Sequence, residues 1–189
     1  MQRFEEILCF WFGGLEDKDF AEPRKSWFAA GPEFDAEIRR LFLDDYERAA
    51  RGEFDSWRDA AQSCLALTIV LDQFPRNMFR NDSRTYASDD AALATAEYAV
   101  RRGFDRQFAP VARAFFYLPF EHSESLEHQR RSVELTSALP YDSRTAAFIE
   151  HAKEHKETIE RFGRFPHRNA ILGRESKREE LEFLRQSKH

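Results

Sequence analysis

The chain has 189 residues and a formal net charge of −5, with 34 acidic residues and 29 lysines and arginines mixed along it. This length suffices for a sizeable hydrophobic core, and we expect a single domain over residues 1–189. The chain has no long basic run, so we predict no nucleic-acid partner. No apolar segment approaches the ~20 residues of a membrane-spanning helix. Cys9 and Cys64 lack the spacing of metal ligands, so we expect free thiols in a cytoplasmic protein without a metal or other cofactor.

The composition predicts an all-α fold. Phenylalanine occurs 19 times, whereas valine and isoleucine, which favour strands, are sparse. The chain has only 7 glycines and 7 prolines, which leaves little material for the hairpin turns of a sheet. We expect about eight helices joined by short links; their pairing as antiparallel hairpins is implied only by the family resemblance described below.

Apolar spacing and end signals define these helices in chain order. The first two span residues 4–12 and 33–51, and each ends at a glycine. The third runs from Ser56 to Phe74 and is apolar on all sides in its middle, which predicts a central, buried helix. The remaining helices are predicted from Ser88 to Gly103, Val111 to Tyr117, Ser123 or Ser125 to Leu139, Asp142 or Ser143 to Gly163, and Ser176 into LEFLRQ. The last residues, 185–189, are expected to fray.

Two segments repeat the order Phe-Pro-(His)-Arg-Asn: LDQFPRNMFRND at residues 71–82 and RFGRFPHRNAILGR at residues 161–174. Because proline lacks the amide donor of a helix, each proline is expected to end or kink a helix, the first near Phe74. Asp72 follows the apolar run directly, so we expect it to be buried and paired. The polar residues that follow are Arg76, Asn77 and Arg80 in the first segment, and Arg164, His167, Arg168 and Asn169 in the second.

Histidines mark two further positions. His155 falls on the apolar stripe of its predicted helix, either as a core residue with one hydrogen bond or as part of a site that opens into a pocket. The residues HAKEH, 151–155, match a short zinc-protease pattern, but that pattern needs a further ligand well downstream, so we predict no metal. In YLPFEHSESL, capping of the next helix explains Ser123 and Glu124, whereas it does not require His122, which could act as a general base.

The arginines of these segments outnumber the acids near them. Arg76, Arg80, Arg161, Arg164, Arg168 and Arg174 stand against Asp72, Glu121, Glu124 and Glu160. If the segments converge, the surplus would suit an anionic ligand, because a guanidinium group holds carboxylate or phosphate with two hydrogen bonds. The alternative is that these arginines pair with acids elsewhere or cap helix carbonyls. No G-x-S-x-G motif, glycine-rich phosphate loop or Cys–His arrangement is present, so covalent catalysis has little support.

Five segments occur in the order seen in a bacterial family: ILCFWFG, LALTIVLDQFPRNMFR, ASDDAALATA, FFYLPFEHSESLEHQ and HKETIERFGRFPHRNAILGR. From Phe4 to Leu184 the chain resembles this family, known as domain of unknown function 924. The resemblance implies an all-helical, tetratricopeptide-like α–α superhelix, and it implies no activity, cofactor or partner. It also places the family's signature on the polar segments described above.

Three hypotheses for the function remain open. The first is a binding protein with an Arg/His/Asn-lined polar pocket between helices for an anionic small molecule or peptide. The second is a hydrolase or transferase for an anionic substrate with His155 or His122 as the general base, and the third is that the motifs are purely structural. Binding leads, because helical-repeat folds usually bind and no nucleophile is present. The candidate ligand-binding residues are Asp72, Arg76, Asn77, His122, Glu124, His155, Arg164, Arg168 and Asn169.

Overall fold

The computed structural model describes residues 1–28 and 31–186, and within these ranges it contains helices and no strand. The prediction of an all-α fold of about eight helices is confirmed. The helices are α1 (Arg3–Phe12), α2 (Lys25–Phe28), α3 (Pro32–Ala50), α4 (Ala61–Met78), α5 (Asp89–Arg102), α6 (Pro110–Ala114), α7 (Leu118–Glu121), α8 (Leu126–Ser137), α9 (Ala146–Phe162) and α10 (Arg178–Gln186). Residues 187–189, part of the segment expected to fray, lie outside the described residues.

Helix α4 is the centre of the fold, as its all-round apolar sequence predicts. Every residue from Ser63 to Asp72 is buried, and the helix packs against α1, α3, α5 and α7. Aromatic rings fill the space around it: the ring centroid of Phe74 lies 5.8 Å from that of Trp11 and 5.0 Å from that of Phe42. Such pairs add about 0.5–1.5 kcal/mol each beyond the burial of their area. The phenylalanine-rich composition thus serves one continuous core that extends from α1 to α9.

The prediction that this helix ends or kinks near Phe74 is wrong about its end, because α4 continues through Pro75 to Met78. Proline removes the backbone hydrogen bond to the carbonyl four residues earlier, that of Leu71. The hydroxyl of Ser88 supplies a donor instead, at 2.6 Å from the Leu71 carbonyl oxygen. Because this carbonyl is satisfied from outside, α4 runs one turn further and carries the Arg-Asn pair of the first segment on a helix rather than on a loop.

Helices α8 and α9 form a second pair, which α7 joins to α4. Helix α9 ends at Gly163, as predicted, with φ of +70° in the left-handed region that glycine adopts without strain. Pro166 then opens a 3₁₀ turn, Pro166–Arg168, and the chain continues into α10. This turn brings the second Phe-Pro segment back towards α5 and α7, where the first segment also lies.

Candidate functional site

The two Phe-Pro segments meet at the carboxylate of Asp89, the first residue of α5. Nη1 of Arg76 lies 2.9 Å from Oδ1 of Asp89, and Nη1 of Arg168 lies 3.4 Å from Oδ2. The sequence predicts Asp89 only as part of a helix start, and it does lie there. Nothing in the residues around it in the sequence indicates that it pairs with both arginines. The polar segments are therefore one cluster in space.

Asp72 is 1% exposed and holds the ring of His122. Nδ1 of His122 lies 2.7 Å from Oδ1 of Asp72, and Nη1 of Arg76 lies 3.4 Å from the same oxygen. Burial alone would raise the pKa of Asp72, but the charge of Arg76 and the contact with His122 lower it to about 2. An ionised carboxylate only accepts hydrogen bonds, so Nδ1 of His122 carries the proton, and in the neutral ring Nε2 keeps its lone pair.

His155, on α9, is held in a similar way. Its Nδ1 lies 2.8 Å from the carbonyl oxygen of His151 and 3.1 Å from Oε1 of Glu121. Since a carbonyl oxygen only accepts, Nδ1 of His155 carries the proton and Nε2 is again the free basic atom of the neutral ring. Burial lowers the pKa of His155, but the hydrogen bond and the charge of Glu121 outweigh it, and the net shift is upward.

His122 and His155 line the same cavity, of about 210 Å³, at the junction of α4, α7 and α9; we call it the histidine cavity. Its wall is completed by Trp27, Gln73, Arg76, Phe115, Leu118, Glu121, Phe148 and His151. Within the described part of the chain, Oε2 of Glu121 and Nη2 of Arg76 are buried without a hydrogen-bond partner. Both atoms belong to residues of this cavity wall, so each can accept or donate a hydrogen bond to a ligand or water there.

Two further cavities touch these histidines. His155 also lines a groove of about 570 Å³ that runs between α9 and α10, here named the α9–α10 groove. His122 also lines a cavity of about 340 Å³ beside α5, here named the α5 cavity. Each histidine therefore stands at the boundary between the histidine cavity and a larger neighbour.

Arg168 contacts the backbone of His122 from outside the histidine cavity. It is 7% exposed, and its guanidinium group lies between two rings, 4.4 Å from the centroid of Tyr86 and 4.6 Å from that of Phe165. Its Nη2 donates to the carbonyl oxygen of His122 at 2.8 Å. Burial, followed by the charge of Arg76, lowers the pKa of Arg168. Arg168 thus positions the backbone of His122 and lines the α5 cavity, but it does not line the histidine cavity.

Glu124 lines the α5 cavity and also ties the turn after α9 to the loop before α8. Its carboxylate accepts from Nη1 and Nη2 of Arg174, at 2.7 and 3.0 Å, and from the amide of Phe165 at 2.7 Å. Burial raises the pKa of Glu124, but Arg174 outweighs it and the net shift is downward. The interpretation of Glu124 as a residue in the first turn of the next helix is wrong, because α8 begins at Leu126.

Three other candidate residues have partners away from the histidine cavity. Asn77 donates to Oδ1 of Asp35 on α3 at 2.7 Å. Arg164 pairs with Glu180 of α10 at 2.6 Å, and Asn169 donates to the same carboxylate at 3.2 Å. Asn77, Arg164 and Asn169 line none of the cavities described above. Their contacts join α3 to α4, and α10 to the turn after α9.

The predicted surplus of arginine is largely neutralised by acids. Carboxylate partners are present for Arg76, Arg80, Arg164, Arg168 and Arg174. Arg161 differs: it is exposed, lies 4.7 Å from the ring centroid of Phe162 and 5.8 Å from that of Phe183, and has no carboxylate partner within residues 1–28 and 31–186. Among the described residues, Arg161 is thus the one of these six arginines whose charge no carboxylate neutralises.

Other sequence expectations concern thiols, metals and membranes. Cys9 and Cys64 are free, and burial raises the pKa of Cys64 to about 12, which keeps its thiol protonated and unreactive. Among the residues that the structure describes, no group of three or more histidine, cysteine, aspartate or glutamate side chains is placed to hold a metal ion. In the same residues, no helix combines the length and apolarity needed to cross a bilayer.

Fold and geometry together define an all-helical protein with two histidine–carboxylate pairs around one small cavity. The chain belongs to the family described as "Bacterial protein of unknown function (DUF924)", which it matches over residues 7–188, and this confirms the resemblance seen in the sequence. It is similar to the solved structure of ATU0120, a protein of unknown function from Agrobacterium tumefaciens. The two are 41% identical, the match covers 97% of each chain, and the TM-score is 0.85.

Curated relatives are more distant. The chain is 25% identical over 158 residues to carboxypeptidase Y homolog A of Aspergillus niger, and 27% identical over 146 residues to that of Aspergillus clavatus. These matches cover 78% and 71% of this chain but only 28% and 26% of the length of those proteins. The similarity is therefore to a segment of those carboxypeptidases and not to the whole protein.

Proposed function

We propose that the protein is a hydrolase or transferase that takes the reacting group of a small anionic substrate into the histidine cavity. The observation that supports this is the presence of two histidine–carboxylate pairs, Asp72–His122 and Glu121–His155, on one cavity. In both histidines the proton is fixed on Nδ1, so Nε2 is the atom left to exchange a proton with a ligand. A general acid and a general base beside one substrate are what proton-transfer catalysis requires.

The two histidines differ in a way that suggests their roles. Glu121 raises the pKa of His155, which increases its protonated fraction near neutral pH and suits a general acid. His122 then takes the role of base, because Asp72 holds its Nδ1 proton and leaves Nε2 to accept a proton. In a hydrolysis, His122 would take the proton of the attacking water while His155 gives its Nε2 proton to the departing oxygen.

Binding without catalysis is the second candidate. It is favoured by Arg161, an exposed guanidinium group without a carboxylate partner in the described ranges, at a groove that shares His155. Arg76 favours it less, since Asp72 and Asp89 already neutralise its charge and Glu121 lies on the same wall. Anion binding in the histidine cavity itself would therefore depend on protonated histidines.

The test is a turnover screen with three anionic probes: 4-nitrophenyl phosphate, 4-nitrophenyl sulfate and 4-nitrophenyl hydrogen succinate. We expect turnover of at least one probe, lowered by about 10²–10⁴-fold in His122→Gln and in His155→Gln. His128→Gln is the matched control, because His128 lies near Glu97 in a different cavity. No turnover of any probe, or equal turnover in the variants and the parent protein, would count against catalysis and leave binding as the candidate.

Further properties belong to this proposal. The packing of α3 on α4, α4 on α5 and α8 on α9 supports a tetratricopeptide-like arrangement of hairpins, and the continuous core supports one domain. Unpaired cysteines support a reducing, cytoplasmic location. The proposed partner is an anionic small molecule or peptide, with no role for nucleic acid, membrane or a cofactor.

A further inference from the structure

The histidine cavity is smaller than most ligand sites. Ligand sites usually have volumes of about 300–1,000 Å³, whereas this cavity has about 210 Å³. A ligand of the usual size that reaches both His122 and His155 must therefore extend into a neighbouring space. The α9–α10 groove, with about 570 Å³, and the α5 cavity, with about 340 Å³, are the neighbours that share these histidines.

The α5 cavity is acidic and does not suit an anion. Asp89, Asp90 and Glu124 line it, and its arginine, Arg168, is held by Asp89 and by the carbonyl of His122. The charge of that arginine is already matched inside the protein. Asp89 and Glu124 are also paired, with Arg76 and Arg174 respectively. Within the described residues, the unpaired charge on this wall is therefore that of Asp90, which repels an anionic group.

The α9–α10 groove offers aromatic walls and an open cation. Phe162 and Phe183 are half-buried, with ring centroids 5.0 Å apart, and the ring of His155 meets Phe165 edge-on at 5.2 Å. Arg161 lies over Phe162 with no carboxylate partner in the described part of the chain. A planar apolar group packs favourably on such rings, while a guanidinium group holds phosphate or carboxylate with two hydrogen bonds.

Acids are present in the groove as well. Glu154 and Glu157 line it, against Arg161 and three histidines, at positions 151, 155 and 167. His155 adds no net charge at the end that adjoins the histidine cavity, because Glu121, which raises its pKa, pairs with it. Arg161 beside the aromatic rings suits a single anionic group on an aromatic body, held on the arginine side of the groove.

We propose that the α9–α10 groove is the recognition subsite of this protein, and that its ligand is an aromatic molecule whose phosphate or carboxylate group binds Arg161. The remainder of the ligand passes His155 into the histidine cavity. That last step rests on the proposed function, whereas the affinity of the groove for aromatic anions does not depend on turnover.

The test is calorimetric titration with phenyl phosphate, phenylacetate and inorganic phosphate at about pH 6.5, near the ordinary pKa of histidine. We expect phenyl phosphate to bind at least about tenfold more tightly than inorganic phosphate, and Arg161→Gln to weaken it about tenfold. Phe183→Ala should weaken the binding of phenyl phosphate and leave the binding of inorganic phosphate unchanged.

Arg178→Gln is the matched control, because it removes the same charge from a side chain of α10 that is 93% exposed and paired with Glu182. The phenylacetate titration separates carboxylate from phosphate recognition.

Equal affinity for the two phosphates, no binding of either aromatic probe, or unchanged binding in Arg161→Gln would overturn the proposal. Phe183 packs on Phe162, so circular dichroism must show that Phe183→Ala is folded; Arg161 is exposed and gives an independent variant.

If Arg161→Gln loses binding while the turnover screen detects no activity, the proposed subsite is supported and the proposed catalysis is not. If His122→Gln abolishes turnover while Arg161→Gln and Phe183→Ala leave KM unchanged, catalysis holds and the subsite fails.

Discussion

Arg76 and Arg168 bind the same carboxylate, that of Asp89, at 2.9 and 3.4 Å. Two guanidinium groups in a partly buried place repel each other, and after burial the charge of Arg76 is the next cause that lowers the pKa of Arg168. One carboxylate between them offsets this repulsion. The three-residue contact joins α4, α5 and the turn after α9.

The first prediction concerns this shared carboxylate. Asp89→Asn removes the charge that separates the two arginines, and we expect it to lower the free energy of unfolding by about 2–4 kcal/mol, because breaking a buried pair leaves an unmatched charge. Urea unfolding measures the change. Asp90→Asn, at the exposed neighbouring position, is the control and should change little. Equal stability of the two variants would show that the shared contact contributes nothing.

The second prediction concerns acid stability. The pKa of Asp72 in the folded protein, about 2, lies below its ordinary value of 3.8, so its contribution is present above about pH 4 and is lost as the pH falls towards 2. We expect the stability difference between the parent protein and Asp72→Asn to shrink by about 2 kcal/mol over this interval in urea titrations. Asp44→Asn, at an exposed position of α3 with no ion pair in the described part of the chain, is the control and should change stability little across this interval.

The third prediction concerns the histidine on α9. The raised pKa of His155 stabilises the folded state below the unfolded value of about 6.5, and this contribution is lost as the pH rises through the folded pKa. Glu121→Gln removes the cause, so burial then dominates and the pKa of His155 should fall. Nuclear magnetic resonance titration of the imidazole proton measures it. Glu127→Gln, an exposed position on α8, should leave the pKa unchanged. An unaltered pKa in Glu121→Gln would contradict the assigned cause.

The fourth prediction concerns the attachment of α10. Glu180 is fully buried, accepts two hydrogen bonds from Arg164 at 2.6 and 2.8 Å, and accepts the amide of Lys177 at 2.7 Å. We expect Glu180→Ala to speed amide hydrogen exchange in residues 178–186 at least about tenfold while α4 keeps its protection. Glu179→Ala, at the exposed neighbouring position, is the control. Equal exchange in both variants would mean that Glu180 does not anchor the helix.

The sequence predicts those parts of the fold that depend on local chemistry. The ends of α1, α5 and α9 at Gly13, Gly103 and Gly163 follow from the left-handed backbone of these glycines, with φ of +93°, +71° and +70°. The continuation of α4 beyond Pro75 could not be predicted, because the donor that compensates for the proline comes from another element. A pattern along one helix does not contain that donor.

In the candidate site, too, some residues can be predicted from the sequence and others cannot. His122, His155 and Asp72 are detectable because each is a polar residue at a position that capping or apolar packing does not explain. Glu121 and Asp89 lack such a signal, because their importance lies in partners that α9, α4 and the turn after α9 provide. Asn77 and Asn169 share one sequence pattern, yet they bind Asp35 and Glu180 in different parts of the fold, so a repeated pattern does not define a common role.

The proline inside α4 has a consequence for the placement of Asp89. The Leu71 carbonyl that Pro75 leaves without an amide donor is bound by Ser88, the residue directly before Asp89. We expect Pro75→Ala to restore the amide, make the Ser88 contact redundant and strengthen α4, and a crystal structure of the variant would show whether Asp89 then shifts. The carbonyl group that Pro75 leaves unpaired in α4 is thus the point at which Ser88 attaches α5. Without the proline, Asp89 would be less well placed for its contacts with Arg76 and Arg168.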